Sequence, residues 1–541
     1  MPFTVDRRSL LMTGTLGLGA FAVPGFTQAL SVAAARGFTH SVASGEPASD
    51  SMLLWTRYVP ADGGAVELKV ELSEQADFGK VAGGGVQITG PWRDHTAKIT
   101  VAGLKPGTDY HYRFIAPDGT RSPVGRTKTL PEGKVDRFRA AIFSCSNLAF
   151  GYFNAYAHAA ARDDLDLTIH LGDYLYDYKP DVYPTLKDSV AGRIPEPRNE
   201  LLILADYRLR YGSYRADPDL QALHRKFPMV VQWDDHESAN DSWEGGAENH
   251  SADEGDWNAR RAASMQAYRE WMPVSDEPWK AYDIGSLATL FRTETRLLAR
   301  TKQPDVAALL KDKDPAAALA AFRDGAWMDP GATMMGSQQE YWLDHAMRAS
   351  VKAGRTWQVT GFGTIMGNTM TPPDALGWIA PDASARTKSY VLGGLAAAKA
   401  GLPNNYDSWG GYPAARARFL KGAQAAGANL VVISGDSHNG WAYDLAQDGH
   451  AAGVEFAGHA VTSSGYEGAL TADPKTVAAS LVRANPELKW CDVSQRGYMA
   501  LTLTPDRVTN DWLMTDSVKT KSARATIGHT AVVSRGRNVM A

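Results

Sequence analysis

Four short segments of the 541-residue chain concentrate the side chains that could hold a metal or move a proton. They read Ser144-Cys145-Ser146-Asn147, Gly172-Asp173-Tyr174-Leu175-Tyr176, Trp233-Asp234-Asp235-His236-Glu237 and Ser434-Gly435-Asp436-Ser437-His438-Asn439. Together they offer carboxylates, imidazoles, a phenol and a thiol, a mixed set of hard and soft donors. A glycine before Asp173 and another before Asp436 let the backbone turn sharply, so that each carboxylate can reach a metal. The chemistry such a set suits is hydrolysis of a phosphate ester. Adjacent metals lower the pKa of a bound water, clamp the phosphoryl oxygens and neutralise charge that builds in the transition state. Each segment alone has a plainer explanation. Gly-Asp after a strand is commonly a turn, adjacent carboxylates such as Asp234 and Asp235 are commonly solvated or capping, and a lone Cys145 would serve as a small buried hydrophobe. Their joint occurrence points to a metal centre.

Each segment follows a short apolar run. Residues 140–143, 165–171, 228–231 and 430–433 have the length and composition of buried strands, as do residues 499–503. Helical stretches such as 200–214 and 257–271 lie between them, so this part of the chain reads as α/β. Ligands of open α/β sheets sit beyond the carboxyl ends of strands, and the four segments are expected to converge there. The alanine- and lysine-rich stretch 301–329 reads as a helical insertion without chemistry. From Phe38 to about Leu130 the pattern is β instead. Val66, Leu68, Val70 and Leu72 alternate with polar residues, and a Pro106-Gly107 turn precedes Tyr110-His111-Tyr112-Arg113-Phe114. That turn and strand are similar to the E–F corner of fibronectin-III-type sandwiches, where a tyrosine ties down its own backbone. The expectation is an all-β, fibronectin-III-like sandwich over 37–131, followed by an α/β catalytic domain over 136–541.

Composition narrows the partners. Hydrophobic residues make up 44% of the chain, charged residues 21%, and the formal net charge is -4. There is no basic surface for a nucleic-acid backbone or an anionic membrane, so a phosphate-bearing substrate must be captured locally, by metals or a few arginines. The two cysteines, Cys145 and Cys491, lie far apart and make no disulfide framework. At the N-terminus, Asp6-Arg7-Arg8-Ser9-Leu10-Leu11 precedes an apolar, glycine- and alanine-rich run from Met12 to about Val23. Small residues follow at Gln28-Ala29 and Ala33-Ala34-Ala35, where a signal peptidase could cut. This is the pattern of a twin-arginine signal over residues 1–35. Its apolar run is shorter than the roughly 20 residues of a membrane span. The chain is expected to meet the twin-arginine translocation machinery, to reach the periplasm or the exterior, and to keep no stable membrane span.

The ordered set of four segments resembles the PhoD-like alkaline phosphatases, a branch of the calcineurin-like metallophosphoesterases. The likeness extends to Ser44-Gly45-Glu46-Pro47, Leu54-Trp55-Thr56-Arg57, Pro123-Val124-Gly125-Arg126-Thr127, Gly245-Gly246-Ala247-Glu248-Asn249-His250 and Trp490-Cys491. It implies a four-layer αββα catalytic domain, a phosphate mono- or diester as substrate, and a site of one ferric ion, Fe(3+), with calcium, Ca(2+). Cys145, Asp173, Tyr176 and His438 fall where that family ligates iron, and thiolate and phenolate suit a ferric ion. The resemblance implies that Asp173 bridges to calcium, with Asp436 and one of Asp234 and Asp235 as further oxygen ligands. Asp234 is the expected ligand of that pair, which leaves Asp235 beside His236 among the catalytic residues. His236 occupies the place of the family's histidine near the phosphate or leaving group. In Tyr207-Arg208-Leu209-Arg210-Tyr211, continuing to Arg215, the arginines read equally as anion contacts or as a packing face; Arg208 is taken as the catalytic candidate. Cys491 is expected to be structural, and His459 follows a strand-like run that could bring it near the site.

The implied mechanism is direct attack by a metal-bound hydroxide, without a phospho-enzyme, because no serine or threonine stands in the nucleophile context of the zinc alkaline phosphatases. A phospholipase-D-like phosphodiesterase on the same site is the alternative. An inactive periplasmic binding protein is a more distant one. Three departures from the family pattern stand out: Asp407-Ser408-Trp409-Gly410-Gly411-Tyr412, with glycine for aspartate at 410; Gly361-Phe362-Gly363-Thr364 and onward to Asn368, where glutamine is common; and Thr293-Glu294-Thr295-Arg296, where aspartate usually precedes Thr-Arg.

Overall fold

The structure, a computed structural model, describes residues 35–541 apart from Asp312. The arginine pair and apolar run of the expected signal lie outside the described residues. Seven strands come first: β1 (Gly37–Gly45), β2 (Ser51–Val59), β3 (Val66–Ser73), β4 (Gly83–Thr89), β5 (Thr96–Ala102), β6 (Asp109–Ile115) and β7 (Gly125–Lys128). Strands β8 (Phe138–Phe143), β9 (Leu167–His170) and β10 (Pro228–Val231) alternate with helices. Then follow β11 (Lys280–Ile284), β12 (Ala288–Arg292), β13 (Trp357–Phe362), β14 (Leu430–Ser434), β15 (Gly440–Gln447), β16 (His450–Ala457) and β17 (Leu488–Asp492). The chain closes with β18 (Gly497–Leu503), β19 (Arg507–Thr515) and β20 (Ala525–Ser534).

Period-2 alternation builds two large sheets whose inner faces meet. In β8, Ala140 and Ile142 point into the core between the sheets, whereas Ala141 and Phe143 point outward beneath helices Asn154–Ala161, Leu204–Arg215, Pro218–Lys226 and Trp257–Trp271. In β14, Val431 and Ile433 face inward, and Leu430 and Val432 meet helices Gly336–Lys352 and Pro413–Ala426. The result is the four-layer αββα arrangement. One sheet has nine strands, in the order β20-β19-β18-β8-β9-β10-β1-β2-β5, and the other seven, in the order β11-β12-β13-β14-β16-β15-β17. Strands β8, β9 and β10 are parallel, as are β12, β13, β14 and β16. Their carboxyl ends therefore collect at one edge of each sheet. The stretch 301–329 carries two short helices, Val306–Leu310 and Pro315–Asp324.

The N-terminal region is a β-sandwich. A four-stranded sheet, β4-β3-β6-β7, faces β1, β2 and β5 over Val42, Met52, Leu54, Leu68, Val70, Leu72, Tyr112 and Phe114. The tyrosine corner is present: Lys105 N donates to Tyr110 Oη at 2.9 Å. One feature departs from two separate sheets joined by a linker. β1 pairs in parallel with β10, Ser44 opposite Pro228, so three strands of the sandwich extend the nine-stranded catalytic sheet. Just past β1, buried Glu46 accepts from Arg292 Nη1 at 2.8 Å and Lys280 Nζ at 3.0 Å, which ties the sandwich to the seven-stranded sheet as well.

Candidate metal centre

Strand register brings the expected donors level. Phe143, His170 and Val231 stand side by side across β8, β9 and β10, and Phe362 and Ser434 do so across β13 and β14. Within a few residues of those positions come Cys145, Asp173, Asp234-Asp235, Gly363 and Asp436. Four donors sit in the left-handed region of backbone space: Cys145 at φ 59°, Asp173 at 54°, Asp436 at 63° and His438 at 62°. Such conformations cost non-glycine residues on the order of 1–3 kcal/mol each and persist where surrounding structure enforces them, commonly at functional sites. Here the enforcement is visible. Cys145 N donates to Gly172 O at 3.1 Å, Ser146 N to Asp173 O at 2.8 Å, and Gly435 N to Gly363 O at 3.0 Å. Gly172 and Gly363 leave room for Asp234: a Cβ at Gly172 would lie 2.4 Å from Asp234 Cβ, and one at Gly363 would lie 2.1 Å from Asp234 Oδ1.

The first group consists of Cys145, Asp173, Tyr176 and His438. One donor atom from each of Cys145, Asp173 and His438 lies within 4.8 Å of the others. Tyr176 Oη stands 3.2 Å from both Asp173 Oδ2 and His438 Nε2. His438 Nδ1 is 2.6 Å from the carbonyl oxygen of Ser464. A carbonyl only accepts, so Nδ1 carries the proton and Nε2 keeps its lone pair on the side of Asp173 and Tyr176.

The second group, Asp173, Asp235 and His236, meets the same 4.8 Å criterion and shares Asp173 with the first. A third, Asp235, Asp241 and Asp407, shares Asp235 with the second. The Asp234-Asp235 pair thus divides. Asp235 takes part in two groups, whereas Asp234 is gripped by the fully buried Arg296, whose Nε meets Oδ1 at 2.7 Å and Nη2 meets Oδ2 at 2.9 Å. The Nη1 of Arg296 turns to Asp407, at 2.9 and 2.7 Å from its two oxygens, and Arg300 holds Asp407 as well. Asp436 lies in none of the three groups; Thr364 Oγ1 donates to its Oδ2 at 2.8 Å.

His236 Nδ1 donates to Asp177 Oδ1 at 2.7 Å. Asp177 is fully buried, and its other oxygen accepts from Asn249 Nδ2 at 2.7 Å. The imidazole is packed against Tyr176 and Tyr178, with ring centroids 4.1 and 5.2 Å away. Glu237 works on the backbone: it accepts from the amides of Asp173, Tyr174 and Asp234 at 3.1, 2.6 and 2.8 Å, clamping the turns that follow β9 and β10.

Arg208, expected among the catalytic residues, lies elsewhere. Its guanidinium grips both oxygens of Glu270, at 2.6 and 2.7 Å, and donates to Trp92 O at 2.8 Å, so it braces a helix against the sandwich. Arg215 donates to Trp271 O and packs on the Trp55 ring, and fully buried Arg210 donates to the carbonyls of Tyr176 and Tyr178, holding the loop that carries Tyr176. The arginine motif is a packing face. His459 pairs with Asp492 at 3.2 Å, and Cys145 and Cys491 are both free and buried. Asp177, Asp241, Asp407 and Arg296 were not picked out as functional from sequence. Asp177 directly follows Tyr176, and Asp407 and Arg296 stood inside the departing motifs, so a signal was present for three of the four. Gly410, the glycine that replaces aspartate, is closely packed: a Cβ there would meet Asn405 O at 2.9 Å and Asn368 Oδ1 at 3.1 Å.

Burial and mutual repulsion leave the centre in need of positive charge. Burial and Asp173 push the Cys145 thiol well up, and burial and the same carboxylate do so for the Tyr176 phenol. Burial, then Asp234, raise Asp436 to about 7; burial, then Asp407 and Asp235, raise Asp241 to about 8. Burial lowers His438 to about 3 and so keeps it neutral. Burial opposes charge on His236 too, but Asp235, Asp173 and Asp177 outweigh it and hold the imidazole protonated. Asp173 Oδ1 is buried and accepts no hydrogen bond from the described residues. Bound multivalent cations reverse this logic, stabilising thiolate, phenolate and carboxylate alike. The residues present fit such ions.

A family model described as PhoD-like phosphatase matches residues 140–512, and one for the N-terminal domain of PhoD-like phosphatases matches residues 26–131. Alkaline phosphatase D of Bacillus subtilis (strain 168) is 31% identical over 547 residues, covering 94% of this chain and 84% of that protein. The solved structure of PhoD superposes with a TM-score of 0.76 at 30% identity, covering 93% of this chain and 91% of that one. A purple acid phosphatase from yellow lupin (Lupinus luteus) seeds shares the fold at 13% identity, with a TM-score of 0.55 over 92% of this chain and 74% of its own.

Proposed function

The chain belongs to the PhoD-like phosphatase family and is a phosphatase; from that premise we propose that it is an exported, metal-dependent hydrolase of phosphate monoesters, diesters or both. The observation that carries the metal reading is Asp173. It is shared by two donor groups, held in a left-handed backbone, and keeps one buried oxygen without a hydrogen-bond partner among the described residues. Cys145, Asp173, Tyr176 and His438 are assigned to Fe(3+), because thiolate and phenolate are ferric donors. Asp173, Asp235 and Asp436 would supply the carboxylate oxygens for Ca(2+), with Asp173 common to both sets. Asp235 takes the place first given to Asp234, because Arg296 already engages both oxygens of Asp234.

When bound, the ions supply a water of lowered pKa and positive charge against the phosphoryl oxygens. The chain's own groups divide the remaining work. Asp177 accepts from His236 Nδ1 and fixes the ring, which leaves Nε2 to stabilise a phosphoryl oxygen or to protonate the leaving group when it carries a proton. Arg296 balances Asp234 and Asp407 and so fixes the loop in which Asp235 stands.

Export rests on the arginine pair Arg7-Arg8 and the short apolar run behind it. The twin-arginine route carries folded proteins and suits a centre loaded with metal before export. No helix among the described residues is long and apolar enough to cross a membrane. Rates on a phosphate monoester and a phosphate diester, measured side by side on the purified protein, test the substrate class. Turnover of either supports the reading, and turnover of neither, with metals bound, defeats it.

A further inference from the structure

We propose that Ser463 is a positioning residue for the metal centre: its hydroxyl donates to Tyr176 Oη and moderates how strongly the phenolate donates to the metal. This rests on the reading above that Tyr176 is a metal ligand. Ser463 is fully buried, and its Oγ lies 2.7 Å from Tyr176 Oη and 3.0 Å from Cys145 O. One hydroxyl proton thus has two possible acceptors. The Cys145 carbonyl has other donors, since the backbone amides of Thr462 and Ser463 approach it at 3.4 and 3.3 Å. A Tyr176 phenolate has none. Its polar neighbours among the described residues are Asp173 Oδ2, His438 Nε2 and Ser463 Oγ. Asp173 is a carboxylate, and the proton of His438 sits on Nδ1, bound to Ser464 O. When Tyr176 gives up its proton to bind a cation, Ser463 is the neighbour that can hydrogen-bond the charge left on Oη.

The short segment around Ser463 frames three of the four donors of the first group. Val461 N donates to Ser144 O at 3.0 Å, and Thr462 Oγ1 donates to Asn147 O at 2.7 Å, which pins the loop bearing Cys145. Ser463 reaches Tyr176, and Ser464 O fixes the tautomer of His438. Outer contacts of this kind orient metal ligands and tune the ion. A hydrogen bond lowers the energy of the phenolate lone pairs. Removing it moves a phenolate-to-ferric charge-transfer band to longer wavelength and makes the phenolate a stronger donor.

The test is the visible absorption spectrum of the purified full-length holoprotein, with iron content measured on the same samples. Tyr176→Phe should abolish the band and so identify its origin. Ser463→Ala should retain iron and shift the band to longer wavelength; Ser463→Thr, which keeps the hydroxyl, should return it towards the wild-type position. An iron-replete Ser463→Ala with an unmoved band overturns the role of Ser463 alone. So does loss of iron from Ser463→Ala, because the residue then holds the site together and does not tune it. A wild-type protein without iron, or with a band that survives Tyr176→Phe, overturns the ligand assignment of Tyr176 and this inference with it.

Discussion

The carboxylate of Asp177 holds the imidazole of His236, Oδ1 to Nδ1 at 2.7 Å; both side chains are buried, and His236 has a ring nitrogen within 4.8 Å of an Asp173 oxygen. The pair fixes the orientation of an imidazole packed against Tyr176 and Tyr178. His236→Ala should therefore lower turnover by roughly 100- to 1000-fold, the scale of one lost electrostatic donor, while metal content stays at the wild-type level. Asp177→Asn should act in the same direction, and the double variant should be no worse than His236→Ala, because the two act as a unit. The kcat of each variant, alongside elemental analysis of the same preparation, checks this. Additive losses would separate the two residues.

Asp234 and Asp235 are adjacent in sequence and should respond differently. Asp235→Asn should lose metal and turnover together, since Asp235 stands in two of the donor groups. Asp234→Ala should leave Arg296 short of one carboxylate in a fully buried position and cost about 3 kcal/mol of stability, the lower end for breaking a buried pair. Denaturant unfolding of metal-stripped protein isolates that term from metal binding. If Asp234→Ala empties the site at unchanged intrinsic stability, the assignment within the pair is reversed.

Glu46 gives a pH signature away from the metal. Burial alone would raise its carboxyl, but Arg292 and Lys280 outweigh burial and hold it below the ordinary 4.5. A carboxyl depressed by folding contributes stability that is fully present above its unfolded pKa and is lost as pH falls through the folded value. Glu46→Gln should destabilise metal-stripped protein by about 3 kcal/mol at pH 7. The gap to wild type should narrow progressively below pH of about 4. A gap that is constant from pH 7 to pH 3 would remove the ion pair as its cause.

The sequence carried much of this centre because parallel register does simple work. Once residues 140–143, 165–171, 228–231 and 430–433 are strands, the polar residues behind them must meet at one edge, and Cys145, Asp173, Asp235 and His438 do. The tyrosine corner at Tyr110 was legible for a different reason, since a local turn determines it. What was not legible depends on contacts between distant segments. Nothing in the alternation of β1 says that Ser44 will pair with Pro228 and make the sandwich continuous with the catalytic sheet. Arg208 sits in a motif that fixes a helix but not which face meets which neighbour, and Glu270 claimed it. Asp241, Arg296 and Asp407 come from three separate loops, and only the folded chain shows that Arg296 bridges Asp234 and Asp407.

The central claim is that phosphate esters are hydrolysed at a metal centre built on Asp173. It is tested most directly by measuring iron and calcium per chain in the purified wild-type protein and in Asp173→Ala, with turnover of a phosphate ester on the same samples. The wild type should hold both iron and calcium, and Asp173→Ala should lose both and fall to background turnover while its sandwich remains folded. An Asp173→Ala protein that keeps its metals and near wild-type activity would contradict the account, as would a fully active wild type that holds two zinc ions and no iron.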